Sequence, residues 1–456
     1  MRDIAVTLAV FATLPFILRR PWIGILVWTW LGFMNPHRMA WGFSMSMPFA
    51  QIVAITTLVA MMLSSEPKRI PWERETKVLL AFVTWMTVTT IFAVYPSLAW
   101  AQFEKVIKIQ LMIFVAMVLI NTPERLKALV WTIALSLAFY GVKGGIFTIM
   151  KGGVHRVQGP PGTFIEGNNE LGLALAMTVP LLYFLARGST HRWIRPAMYA
   201  ATVLTALAAI GTQSRGALVG MAAMGAVFWL KAYHKFMVML LGGLAVLLVW
   251  LIMPAAWYER MATINTYQED TSAMGRINAW WMAFNLASDR LLGGGFETFR
   301  YEMFYLYAPD PTDARDVHSI YFEVLGEHGF VGLFLFLLLA IFTWRSAAVI
   351  RRALKDHDTL AWMGELMAMV QVSLVAYLAA GAFLGMAYFD YYYNLVLIVV
   401  VARVLVREAE SVEKRAAGVA APGVGSPRVC EAVPVNDRPD RHSAAARVPA
   451  GSVPRS

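Results

Sequence analysis

His318 is the side chain in this sequence best suited to chemistry. It stands in Asp313-Ala314-Arg315-Asp316-Val317-His318-Ser319, where a polar loop carrying Pro309 and Pro311 gives way to a helical pattern. Imidazole titrates near neutrality, so a histidine at such a junction can take a proton from a reacting hydroxyl as general base. Two other readings stay open from the residues alone. One is a helix-start histidine bonded to its own loop. The other is a metal ligand with Asp313 and Asp316 as neighbours, but no HExxH, no DxD and no acidic pair backed by a second histidine accompanies it, so no metal is expected. Arg215, in Thr212-Gln213-Ser214-Arg215-Gly216-Ala217, separates two apolar segments by a few residues. It either snorkels to a membrane interface or offers a fixed, planar guanidinium to phosphate oxygens in a cavity. Arg276, in Met274-Gly275-Arg276-Ile277-Asn278, is either a solvated surface arginine or the second half of a clamp that holds both phosphates of a pyrophosphate. Arg156 and Asn168-Asn169 mark a smaller loop rich in Gly and Pro, read as an ordinary loop or as the lid or entrance to a site. Asp316 is a candidate partner to orient His318. Lys105 and Lys108 read as snorkelling residues at a helix end.

The elements that must position these residues are membrane-spanning helices. Hydrophobic residues make up 58% of the 456 and charged residues 15%, against about 25% in a soluble domain. Mean hydropathy is +0.57. Apolar segments run over 4–18, 22–34, 48–63, 77–95, 105–120, 128–150, 170–186, 197–212, 217–230, 236–253, 329–344, 365–386 and 388–406. They are long and lack period-2 alternation, and backbone in lipid must be satisfied within a helix or a closed barrel, so helices are expected. Segments 4–18 and 22–34 are both short for a span, and about 12 spans are expected, with the pair as one broken element and both ends inside. Taken as two crossings the pair makes 13 with the N-terminus outside. The first segment is not a cleaved leader, since it follows only Arg2 and runs into Arg19-Arg20-Pro21 without a small-residue cleavage site.

Charge sets the orientation. The net charge of +10 comes from basic residues that punctuate apolar segments and form no patch, so no nucleic acid is expected as partner. Basic connectors containing Lys68, Arg69 and Arg74, then Arg125 and Lys127, Arg187, Arg192 and Arg195, Lys231 and Lys235, and Arg345, Arg351 and Arg352 alternate with connectors poor in positive charge. Basic connectors belong in the cytoplasm. The loops 151–169, 212–217 and 254–328 then face the other side, which in a bacterium is the periplasm. The chain reads as a bundle over 1–253, a long loop over 254–328 with short helices at 274–289 and 296–307, C-terminal spans over 329–406, and a disordered cytoplasmic tail over 407–456. The single cysteine, Cys430, lies in that tail and supports neither a disulfide framework nor a thiolate metal site.

Ser214-Arg215-Gly216, Gly275-Arg276, the Gly293–Gly295 turn, and His318-Ser319 followed by Leu325-Gly326-Glu327-His328-Gly329-Phe330-Val331-Gly332 together resemble the bacterial O-antigen ligase and O-antigen polymerase superfamily. The likeness covers roughly 77–406. Met34-Asn35-Pro36-His37-Arg38 with Trp41-Gly42-Phe43 is similar to a subgroup of probable O-glycosylation ligases associated with exosortase systems. The resemblance implies an all-α polytopic inner-membrane protein of GT-C-type glycosyltransferase architecture, with neither metal nor cofactor. It implies an undecaprenyl-pyrophosphate-linked glycan as donor, and a lipid A–core sugar as acceptor at the periplasmic face. It maps the family's essential histidine onto His318 and its two essential arginines onto Arg215 and Arg276. Arg156, Asn168 and Asp316 are expected to contact substrate. His328 is expected at the membrane interface.

The chemistry is consistent with that mapping. Pyrophosphate departs as a stable anion, two guanidiniums can neutralise its growing charge, and one base suffices to deprotonate the acceptor. A polymerase or a protein O-oligosaccharyltransferase needs the same parts. A lipid-linked glycan transporter needs none of them, and neither a halved repeat nor midplane charges point that way.

Overall fold

The computed structural model describes residues 1–231, 234–262, 271–355, 357 and 359–420. Among these there is no strand. The helices are α1 (Arg2–Arg19), α2 (Pro21–Met34), α3 (Phe49–Leu63), α4 (Arg74–Ile91), α5 (Pro96–Leu119), α6 (Pro123–Met150), α7 (Asn168–Gly188), α8 (Ile194–Gly211), α9 (Arg215–Lys231), α10 (Lys235–Ile252), α11 (Ala255–Ala262), α12 (Thr271–Asp289), α13 (Tyr301–Tyr307), α14 (Ile320–Ala353), α15 (Ala361–Gly381) and α16 (Asp390–Ala420). Six of them, α6, α7, α8, α10, α14 and α15, are long and apolar enough to cross a bilayer, and α2 and α3 are shorter apolar helices. By its contacts the chain divides into Met1–Glu410 and Ser411–Ser456. The tail expected from 407 begins as a continuation of α16 through Ala420. Residues 421–456, with Cys430, lie outside the described residues.

The first two apolar segments are separate helices and not one broken element. Arg20 leaves the helical region at φ −140°, ψ 88°, and Pro21 opens α2, where its missing N–H costs nothing. The pair packs side by side, and both helices rest on α3. The start of α1 stands at the end of α2: the Asp3 carboxylate accepts the backbone N–H of Gly42 (3.0 Å) and Ser44 (3.2 Å).

Helices α6, α7, α8, α9 and α15 pack through small residues, as helices in lipid do when no hydrophobic effect drives them together. A Cβ on Gly145 of α6 would lie 2.3 Å from the Leu204 carbonyl oxygen, and one on Gly220 of α9 would lie 2.8 Å from the Ala380 Cβ. The end that carries the basic connectors is tied by ion pairs. Arg125 clasps Glu66 through two nitrogens at 2.7 and 2.9 Å, and Arg403 of α16 reaches Glu73 at 3.2 Å.

The long loop departs from the expected pattern in two places: it opens with a further helix, α11, and its later short helix is shorter than expected. That later helix begins at Tyr301 and not at 296. The glycine turn before it is stitched to α14 by bonds from the Gly294 and Gly295 N–H groups to the Gly326 and Glu327 carbonyls, both 2.8 Å. The buried Glu327 carboxylate then accepts the Glu297 N–H at 2.8 Å, which holds 296–300 out of a helix. Part of this loop, 263–270, is outside the described residues.

His328, expected at the membrane interface, is fully buried within the helices. Gly329 breaks α14 at φ 66°, a conformation that a side chain would strain. The break leaves His328 among Phe82, Phe296 and Tyr388, with Nδ1 2.7 Å from the Thr89 hydroxyl.

Candidate functional site

Arg215 is the first residue of α9. A tight turn puts it there. Thr212 N–H and Gln213 N–H close onto the carbonyls of Ala208 and Ile210, Gln213 takes a left-handed φ of 56°, and the Ser214 hydroxyl accepts the Ala217 N–H at 3.2 Å as a helix cap. The Gln213 side chain donates to the Gly153 carbonyl at 2.9 Å and so fastens this turn to the 151–167 loop. Asn168 opens α7 beside it and donates to the Thr212 carbonyl at 2.9 Å.

These residues meet at a cavity of about 210 Å³ lined by Arg156, Asn168, Asn169, Gln213, Arg215, Gly216, Arg276 and Phe383. Three of the eight are arginines and none is acidic. Arg215 and Arg276 are half-buried, and Arg156 is exposed at the mouth. The amide ends of α7 and α9 stand at the same place, and an α-helix carries about half a positive charge at its N-terminus. Guanidiniums, amide groups and helix ends therefore all favour an anion with many oxygens. Four of the residues expected from sequence, Arg156, Asn168, Arg215 and Arg276, come together here. Gln213 and Phe383 complete the wall; Gln213 lay in the quoted run before Arg215, while nothing local to Phe383 marks it.

His318 and Asp316 do not line this cavity. They pair with one another, Nδ1 to Oδ2 at 3.3 Å. The backbone of His318 is left-handed at φ 43°, an uncommon state for a residue with a side chain. Val317 and Ser319 on either side are buried, whereas the His318 side chain is 34% exposed, so the unusual φ accompanies an imidazole turned away from the packed neighbours. The pair stands across the 382–389 turn from the cavity. A Cβ on Gly385 would lie 3.8 Å from both Asp316 carboxylate oxygens, and Phe383 of the same turn lines the cavity.

One helix carries both Arg276 and the supports of the His318 loop. Asn278 of α12 is buried; it donates to the carbonyls of Asp310 (2.8 Å) and Asp313 (3.0 Å) and accepts the Asp310 N–H (2.8 Å). Trp280 donates to the Val317 carbonyl at 3.0 Å and stacks on Phe322, with ring centroids 5.1 Å apart. Gly275 lets the loop lie flush, since a Cβ there would meet Arg315 at 2.6 Å. Within the loop the Thr312 hydroxyl and amide bond one oxygen of Asp310, which holds that carboxyl below its ordinary range. The sequence identifies α12 as a helix but shows no partner for Asn278 or Trp280. Lys105 and Lys108 sit within α5 and line no part of the cavity. Among the described residues, no group of three or more His, Cys, Asp and Glu is placed to hold a metal ion.

Comparison with known families returns two matches in succession. Residues 1–190 match a family of unknown function (DUF5935), and residues 200–337 match a family described as O-Antigen ligase. The second contains Arg215, Arg276 and His318; the first contains Arg156 and Asn168. No curated protein matches the chain.

Proposed function

We propose, from the O-antigen ligase family domain at residues 200–337 that puts this chain in the O-antigen ligase and polymerase superfamily, that the protein is an O-antigen ligase. In this reading it is a metal-independent, inverting glycosyltransferase of GT-C type in the bacterial inner membrane. Its donor is an undecaprenyl-pyrophosphate-linked glycan and its acceptor a lipid A–core sugar hydroxyl at the periplasmic face. The helices α1 to α10 and α14 to α16 cross the bilayer. The N-terminus and the loops at 151–167 and 254–319 then face the periplasm, and the C-terminus faces the cytoplasm.

The observation that carries the reading is the arginine-lined cavity at the ends of α7 and α9, with a histidine–aspartate pair across one turn from it. Arg215 and Arg276 hold the pyrophosphate, and Arg156 and Asn168 line its entrance. The acceptor oxygen attacks the anomeric carbon from the face opposite the phosphate. The new carbon–oxygen bond forms as the bond to pyrophosphate breaks, and the electron pair leaves on the pyrophosphate. The guanidiniums offset that charge as it develops. The acceptor proton passes to Nε2 of His318, whose Nδ1 is occupied by Asp316. In this reading Asp316 orients the His318 ring.

A polymerase or a protein O-oligosaccharyltransferase would use the same clamp and base, and the difference lies in the acceptor. Deleting the gene and examining the lipopolysaccharide ladder separates them. Loss of long chains on core, with polymer retained on its lipid carrier, is the expected result. A single repeat left on core would identify a polymerase, and an unchanged ladder would sink the ligase reading.

A further inference from the structure

A second cavity, of about 860 Å³, opens in the N-terminal region that the family of unknown function covers. Its walls come from the start of α1, the 34–45 connector, the end of α6 and the 156–161 loop. Four of its lining residues are cations, Arg2, Arg38, Lys143 and Arg156, and none is acidic. Among the described residues none of the four is in an ion pair. The rest of the wall is mainly apolar, including Val6, Phe139 and Phe147. At the rim Trp41 is 87% exposed, and Met45 beside it is also exposed. An exposed tryptophan of this kind suits the headgroup level of a bilayer.

Cations outside any ion pair among the described residues, set over apolar walls, suit a ligand with the opposite layout, an anionic head on a hydrocarbon body. A soluble anion would leave the apolar wall wet, and a neutral lipid would leave the four charges facing nothing. We propose that this cavity seats the phosphate-bearing head of an anionic lipid, as a binding site separate from the arginine-lined one. Arg156 lines both cavities, so a lipid held here lies directly beside the smaller site. The claim concerns binding and stands apart from the transfer reaction.

The test is native mass spectrometry of the full chain, stripped of lipid in detergent and offered phosphatidic acid or phosphatidylcholine of equal acyl length. Phosphatidic acid should be retained in preference to phosphatidylcholine. Lys143→Glu and Arg38→Gln should each lower phosphatidic acid retention about fivefold or more, the effect of one basic residue at an anionic lipid surface, and leave phosphatidylcholine unchanged. Lys143 is exposed, so its substitution keeps the fold, and an unchanged melting midpoint verifies this. Arg215→Ala, in the other cavity, should retain phosphatidic acid as before. Equal retention of the two lipids overturns the proposal, as does wild-type retention by the Lys143→Glu variant. Displacement of phosphatidic acid by inorganic phosphate at matched concentration would overturn the lipid assignment and leave a site for a free anion.

Discussion

A guanidinium at the first residue of a helix adds its charge to that of the unpaired amide groups, and Arg215 stands at that position in α9. Arg276 faces the same cavity from α12. Loss of either should cost transfer about 10²–10³-fold, the usual effect of removing one preorganised group from developing charge. Arg→Lys should recover little, because a point charge does not reproduce a planar fork. Turnover by each variant at equal folded concentration measures this, and near-normal rates in both alanine variants would end the clamp. His318 carries a different expectation. His318→Ala should lower turnover about 10²–10⁴-fold and leave donor binding intact. Asp316→Asn should give a smaller loss of turnover at unchanged donor affinity, since it disturbs only the orientation of the ring. A structural histidine would behave otherwise: His318→Ala would lower yield or melting temperature, and the folded remainder would work normally.

The helix α12 touches both the arginine-lined cavity and the loop that ends in His318. Arg276 points to the cavity, while Asn278 and Trp280, two and four residues on, hold the loop that ends in His318. Asn278→Ala removes the buried side chain that bonds the Asp310 and Asp313 carbonyls and the Asp310 N–H, a loss of about 0.5–1.5 kcal/mol for each bond. Turnover should fall while the donor KM stays near its original value, and protease should cut within 309–318 sooner than in the parent. Gly275→Val should act in the same direction, because its side chain would need the space that Arg315 occupies. Unchanged kinetics and unchanged proteolysis in both variants would show that α12 does not position the loop.

At the scale of the whole molecule two expectations follow from the distribution of charge. Where arginines neutralise the leaving pyrophosphate no divalent ion is required, so transfer by purified protein should survive excess EDTA. Loss with EDTA and recovery with magnesium or manganese would defeat that expectation. Sidedness is the second. With Cys430 replaced by Ser, single cysteines at Trp41→Cys and Arg156→Cys should both react with an impermeant maleimide added to spheroplasts, because the two residues line one cavity. A cysteine at Lys68 should react only in inside-out vesicles. Labelling of Trp41→Cys from the cytoplasmic side would overturn the thirteen-crossing arrangement.

Apolar length and the alternation of basic and charge-poor connectors are local properties, and they determined that this chain is a helical membrane protein; the polar residues between the apolar segments marked three loops as candidates for chemistry. Arg215, Arg276 and His318 were legible there, because a permanent charge or an imidazole beside an apolar segment needs a reason. Distance in space was not legible. Arg156 and Asn168 join Arg215 because Gly172 lets α7 lie against Ala217 and Thr212, and Gly216 brings α9 to the Ala380 carbonyl. Such crossings depend on the sum of many small contacts between segments far apart in sequence. For the same reason only the tertiary structure decided that Arg20–Pro21 is a reversal, that Glu327 holds 296–300 out of a helix, and that His318 turns out of its helix start onto Asp316.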